Sequence, residues 1–271
     1  MGITGIDDEK CISCGTCLTV CSLFSKSKEN EDKIIFKVPH NPLDCNLCGQ
    51  CIAACPEDAI LYEGIGDAEA FKGVDHPEEI ADYDTVYNLM RANRSVRSYK
   101  KDKVPLELLK KVFAAMQMAP TGGNMRLEKF YIVSNQEKLS TFSDAVIEEL
   151  LKDPMMGERY GKLLPLMRKR YRIPVFLDAP HVILVTSPMK FSSMDNNIGI
   201  IITYGRLAAQ ALGLATCWNG LSQAAMRMNP ELMKMIGIRG KTTGAFVIGY
   251  PNITFHRAPP RSSKPVKGLE D

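Results

Sequence analysis

The sequence predicts an α+β chain in two domains, a small cysteine-rich one followed by a larger one built around a single sheet. Three observations lead there. All but one of the nine cysteines lie between positions 11 and 55. Residues 64–81, GIGDAEAFKGVDHPEEIA, combine glycine, acids and a proline without periodicity, which is the composition of a linker. From residue 82 onward, apolar residues recur at helix and strand spacings in turn, the pattern of helices and strands packed around one sheet. The expected boundaries are therefore 1–63, 64–81 and 82–271, and 271 residues suit two domains.

The first domain rests on two cysteine runs. Cys11, Cys14, Cys17 and Cys21 form one; Cys45, Cys48, Cys51 and Cys55 form the other. Both read C-x2-C-x2-C-x3-C, and KCISCGTCLTVC aligns with DCNLCGQCIAAC without a gap. This domain resembles the bacterial two-cluster ferredoxins, which use that run to hold two [4Fe-4S] clusters and send each fourth cysteine to the other cluster. The expected ligand sets are thus crossed: Cys11, Cys14, Cys17 and Cys55 for one, Cys45, Cys48, Cys51 and Cys21 for the other. Gly15 and Gly49 fall where the backbone must pass close to an inorganic core. Disulfides would need an oxidising compartment, and the N-terminus lacks the apolar run of a signal peptide. Structural zinc uses short cysteine pairs rather than two four-cysteine runs. Ser22 follows Cys21 where Pro56 follows Cys55, which changes no ligand.

The elements follow in order. Asn30–Lys33 separates the first run from Ile34, Ile35, Phe36 and Val38, a strand in an inserted hairpin, and Ala59–Tyr62 closes the domain as a strand. Tyr83, Val86, Tyr87 and Met90 are spaced for an amphipathic helix. Val104-Pro105 opens a second, with Leu108, Leu109, Val112, Phe113 and Met116 inward, and Pro120 ends it before the loop 121–124. A strand over 130–133 and a helix over 136–151 come next. Residues 155–172 read as helix broken by Pro165, with Arg168, Lys169, Arg170 and Arg172 as a solvated face. His181–Thr186 is a continuous apolar strand of the buried type. Ile198–Leu212, rich in small residues, predicts a central helix; Thr216–Gly220 a strand and turn; Pro230–Ile236 a helix; Ala245–Gly249 the last core strand. The tail from Pro259 has no periodicity.

Five segments of the larger domain then carry a resemblance. Arg94-Ser95-Val96-Arg97-Ser98-Tyr99, Ala119-Pro120-Thr121-Gly122-Gly123-Asn124, the strand from Lys129, Leu212-Gly213-Leu214-Ala215-Thr216-Cys217-Trp218 and Val247-Ile248-Gly249-Tyr250-Pro251 resemble, in order, the motifs of the nitroreductase-like flavoproteins. The resemblance implies FMN as cofactor. A phosphate dianion suits guanidinium forks and a hydroxyl, which Arg94, Ser95 and Arg97 supply, with Arg261, or Arg257 as second candidate, completing the cradle. Pro120, Thr121 and Asn124 resemble the loop that reaches the flavin from a neighbouring subunit. Trp218, Asn219 and Gly220 resemble the segment whose backbone lies beside the isoalloxazine. Asn93 stands where the family often has an arginine, and Arg126, Leu127 and Glu128 replace its frequent Q-P-W.

The whole resembles a ferredoxin–nitroreductase fusion: an oxidoreductase passing electrons between two [4Fe-4S] clusters and FMN to reduce a nitro, quinone or activated alkene group. A dehydrogenase running the other way, or a carrier or redox sensor without substrate, are the competing readings. No side chain is assigned as catalytic. The implied partners are a second copy in a homodimer, a small organic substrate, and ferredoxin, flavodoxin or NAD(P)H as external donor or acceptor, in the cytoplasm. A net charge of +3 argues for no nucleic acid, and no stretch approaches the ~18 apolar residues of a membrane span. Cys217 reads as a small buried residue, Trp218 could serve the core, and the four histidines show no metal spacing. Met226, Met228, Met233 and Met235 read as core or dimer packing.

Overall fold

The computed structural model describes residues 2–41 and 44–268. The chain divides into two units, residues 1–80 with 121–126, and residues 81–120 with 127–271.

The first unit contains β1 (Gly2–Ile6), α1 (Thr16–Val20), β2 (Phe24–Lys26), β3 (Ile34–Phe36), α2 (Gln50–Ala53) and β4 (Ile60–Glu63). Its internal repeat is visible in the backbone. Ser13 and Leu47 both take a left-handed conformation (φ 56° and 55°), and so do Gly15 and Gly49 at the starts of α1 and α2 (φ 77° and 72°). A non-glycine residue held there costs about 1–2 kcal/mol, so each cysteine loop is forced into one tight shape. The strands pair between halves: β1 with β4 and β2 with β3, both antiparallel. β4 therefore carries the end of the second half back to the start of the first. Phe24, Ile34, Cys51, Ile52 and Ile60 form the core. The expected hairpin is β2–β3, closed by Ser27 N–H donating to Lys33 O at 2.8 Å. β1 went unseen in the sequence because GITGI offers only two apolar side chains of any size.

The second unit contains α3 (Tyr83–Ala92), α4 (Leu106–Gln117), β5 (Lys129–Val133), α5 (Gln136–Lys152), α6 (Pro154–Tyr160), α7 (Leu163–Arg170), β6 (His181–Ser187), α8 (Ser192–Ala211), β7 (Ala215–Trp218), α9 (Gly220–Met228), α10 (Glu231–Met235) and β8 (Thr242–Gly249). The sheet runs β5-β6-β8-β7, with every neighbouring pair antiparallel. It is covered on both faces. Val182, Leu184, Ala245 and Val247 pack with Phe142, Val146 and Leu150 of α5 and Met226 of α9. Ile183, Val185, Phe246 and Ile248 pack with Val112 and Met116 of α4 and Ile198 and Ile202 of α8. That double burial explains why β6 is apolar without alternation. The small residues of α8 serve the α4 crossing: a Cβ on Gly205 would stand 2.6 Å from Met116 Cγ.

Several expectations change. The helical stretch breaks at Gly161–Lys162, and Pro165 sits in the first turn of α7, where its missing N–H would have had no partner anyway. α8 begins at Ser192 rather than Ile198, and α9 follows the turn at Gly220. The basic run is exposed as expected: Arg168, Lys169, Arg170 and Arg172 all reach solvent, with Arg168 pairing with Asp144 at 3.3 Å and the Arg170 guanidinium 5.3 Å over the Tyr171 ring. Met226 and Met233 are buried but Met228 and Met235 are exposed. α3 is capped by Asp82, which accepts from Thr85 N–H at 2.7 Å, yet Tyr83, Val86, Tyr87 and Met90 remain exposed in the single chain.

Candidate functional site

In the first unit, Cys11, Cys14, Cys17 and Cys55 surround one small hollow whose remaining wall includes Ile6, Ile12, Ile34 and Ile60. The pairing of β1 with β4 is what brings Cys55 across. Burial pushes the Cys51 thiol up to about 11, and Cys21 is the next largest cause, so Cys21 of the first run stands near Cys51 of the second. Burial likewise raises Cys17, whereas hydrogen bonding to Thr16 lowers the exposed Cys14. Ala59 N–H donates to Cys55 Sγ at 3.3 Å. Four thiols around an apolar hollow fit a four-thiolate cubane, and binding it would drive off the thiol protons.

In the second unit, residues 95–100 run along the ends of β7 and β8. Ser95 bridges Thr216 and Tyr99 bridges Pro251; Val96 N–H donates to Thr216 O at 3.0 Å and Lys100 N–H to Tyr250 O at 2.9 Å. This register sets Arg97 beside Cys217, Trp218, Asn219 and Gly220 around a hollow of about 570 Å³. Tyr160 of α6, Leu163 and Leu166 of α7, and Tyr171 line its other side. The Tyr171 hydroxyl donates to Arg97 O at 3.0 Å, and Trp218 Nε1 donates to Gln223 Oε1 at 2.9 Å. Asn219 is buried and fully used: Nδ2 donates to Val175 O at 2.5 Å, and Oδ1 accepts from Ser222 N–H at 2.9 Å, capping α9. Burial raises the Cys217 thiol against the opposing pull of Arg97, Ser95 and Arg206, so it stays protonated and suits packing rather than attack.

The other residues singled out in the sequence lie elsewhere. Arg94 faces a second hollow of about 370 Å³ with Arg257, Phe255 and Asn88. Its guanidinium donates to Arg91 O at 2.8 Å, Asn93 O at 2.7 Å and Arg257 O at 3.3 Å, closing the C-terminal end of α3. Arg261 is exposed farther along the tail. Pro120 and Thr121 are not among the residues lining either hollow, and Asn124 Nδ2 donates to Asn46 O and Leu47 O at 3.0 and 2.9 Å within the first unit. The sequence reading missed the α6–α7 wall, Tyr171 and Arg206. The signal for Arg206 was there: it is the one basic residue of α8.

The nitroreductase family model matches residues 90–250. The chain belongs to the nitroreductase family. A 4Fe-4S dicluster domain model matches residues 10–59 of this nitroreductase. The iodotyrosine deiodinase of Thermotoga neapolitana is 31% identical over 134 residues, 48% of this chain and 71% of that protein. NADH-quinone oxidoreductase subunit I of Pelobacter propionicus is 32% identical over 100 residues, a third of this chain (33%), and the chain spans about half of that protein (52%). The solved structure of a nitroreductase with bound FMN from Bacteroides fragilis shares the fold, with a TM-score of 0.53 at 23% identity, covering 69% of this chain and 97% of that one. Together, the two matches make the chain a nitroreductase-family protein that carries a 4Fe-4S dicluster domain. The larger hollow fits the flavin: it is open, largely apolar, rimmed by aromatic rings, and has a cation in Arg97.

Proposed function

We propose that this nitroreductase uses electrons carried through its N-terminal clusters to reduce an organic acceptor at the Arg97–Gly220 hollow. The observation that supports it most is the convergence of Arg97 with Trp218, Asn219 and Gly220, distant in sequence, on one open and mostly apolar cavity. When bound, the clusters carry single electrons and FMN links them to a two-electron step. The chain's own residues do the holding. Arg97, with Ser95, offers the cationic and hydroxyl donors for a phosphate; Arg94 and Arg257, which face the neighbouring hollow, and Arg261 on the tail are the further candidates. Asn219 pins the segment that would lie under the ring, and Leu163 and Leu166 offer an apolar wall to the acceptor.

The acceptor classes are nitro, quinone and activated alkene groups, and the deiodinase relatives add aryl halides to the panel worth testing. A homodimer with Pro120, Thr121 and Asn124 reaching the partner's flavin is part of the same reading, and the exposed apolar side of α3 gives such a contact material. Among the described residues no helix is long and apolar enough to cross a membrane. Cluster thiolates favour a reducing compartment, which points to the cytoplasm. The test is anaerobic turnover of the fully loaded protein against that panel, comparing reduced ferredoxin, flavodoxin and NAD(P)H as donors. Turnover no faster than free FMN, with clusters and flavin both intact, would turn the reading toward an electron carrier.

A further inference from the structure

Arg206 sits in a helix otherwise given to packing. Ile198, Ile201, Ile202, Gly205 and Ala209 of α8 are buried, and after Asp195 near its start Arg206 is the helix's one charged residue. The guanidinium ties two segments together. Nε donates to Thr216 Oγ1 at 3.1 Å; Nη2 donates to Asn93 Oδ1 at 3.0 Å and to Arg94 O at 3.4 Å. One turn on, Gln210 extends the same network, accepting from Asn93 Nδ2 at 2.7 Å and donating to Leu89 O at 2.9 Å.

Every one of Arg206's partners is a neutral oxygen, and among the described residues no carboxylate forms an ion pair with it. A half-buried cation without a counter-ion has lost hydration and received no charge in return. Burial lowers its pKa accordingly, but a guanidinium stays charged at any ordinary pH. Its position gives that charge a use. Thr216 is the chain neighbour of Cys217, which lines the cavity and feels the Arg206 charge, and Asn93-Arg94 leads directly into Ser95 and Arg97. The same junction carries the Ser95–Thr216 bridge.

We propose that Arg206 is a positioning residue for the flavin: its fork fixes the 93–95 segment against β7, and its uncompensated positive charge lies behind the cavity floor. The inference rests on the reading that this hollow holds FMN. The fork sets the spacing between the segment that would meet the phosphate and the segment that would meet the ring. The charge favours the reduced, anionic form of whatever flavin binds in front of it.

The experiment uses the full chain with its clusters, as wild type, Arg206→Gln and Arg206→Lys. FMN affinity is read from flavin fluorescence, and the midpoint potential of the bound flavin from spectroelectrochemistry. The Gln variant loses fork and charge: with the 93–95 segment no longer held, FMN binds roughly tenfold more weakly or worse, the scale of one charge-assisted contact misplaced at that segment, and the potential falls. The Lys variant keeps the charge without the fork, so the affinity stays low while the potential returns toward wild type. A Gln variant with wild-type affinity or wild-type potential overturns the proposal, because a packing role alone would move stability and leave the potential unchanged. Should the Gln variant fail to fold, the Lys variant decides: weaker FMN at an unchanged potential supports the proposal, and unchanged affinity overturns it. A wild-type protein that binds no FMN refutes the underlying reading instead.

Discussion

Replacing Asn219 by Ala should cost more than any exposed position near the hollow, and the structure says how much. Its Oδ1 accepts from Ser222 N–H and caps α9; losing a cap of this kind costs about 1 kcal/mol. Its Nδ2 donates to Val175 O at 2.5 Å in a buried setting, and leaving that carbonyl without a partner costs roughly 1–3 kcal/mol. Both bonds belong to one side chain, so their simple sum of about 2–4 kcal/mol is the upper scale of the loss. Urea unfolding followed by fluorescence of Trp218, the chain's sole tryptophan, reads the unit that contains the substitution. Asn219→Asp is the companion variant. It keeps the acceptor for Ser222 N–H but sets a carboxylate against the Val175 carbonyl, so it should retain the cap and lose the buried bond. A midpoint for Asn219→Ala that corresponds to less than about 1 kcal/mol would refute the reasoning, since even the cap alone accounts for that much. Equal loss in the Ala and Asp variants would place the whole effect on the bond to Val175 and none on the cap.

Other outcomes follow from the same geometry. Cys55→Ala should remove the cluster of the first run, halving iron from about eight to about four per chain and sparing the second cluster, as resolved by low-temperature spectroscopy; loss of the second cluster instead would contradict the arrangement around the first hollow. Arg97→Ala should weaken FMN more than riboflavin, by roughly tenfold or more in Kd, and equal losses for both would remove Arg97 from the phosphate. His181 is held neutral by burial, with Lys103 adding to the effect; its Nε2 accepts from Val104 N–H at 3.1 Å, and its Nδ1 lies 2.6 Å from Ser134 Oγ. Its folded pKa lies below 6.5, so the unfolded chain binds the proton first and the stability present above pH 6.5 is lost as pH falls below it. His181→Gln should therefore show a shallower decline of Tm between about pH 6.5 and 5, and an unchanged slope would assign the acid sensitivity elsewhere.

The sequence by itself determined the parts of this protein whose causes are local. The two cysteine runs identify their clusters because all the relevant spacings fall within eleven residues. The helices from α3 to α5 follow from apolar spacing, and the unbroken apolar run of β6 implied a strand covered on both faces. The segments that line the larger hollow were legible only as motifs, each weak alone and persuasive in order. Tertiary structure decided the rest, because strand register brings together residues that no local periodicity connects. Ser95 meeting Thr216 is what sets Arg97 beside Trp218, Asn219 and Gly220, whereas Arg94, three residues from Arg97, closes α3 and turns to Arg257 instead. The basic run after Pro165 stays in water as its sequence implied, and the packed fold adds only its neighbours: Arg168 pairs with Asp144, and Arg170 lies over the Tyr171 ring at the cavity wall. Arg206 is the opposite case. A lone arginine in an apolar helix is visible in the sequence as an anomaly, but its meaning depends on three oxygens from β7 and the 93–94 segment, which only the packed fold places within reach of its guanidinium.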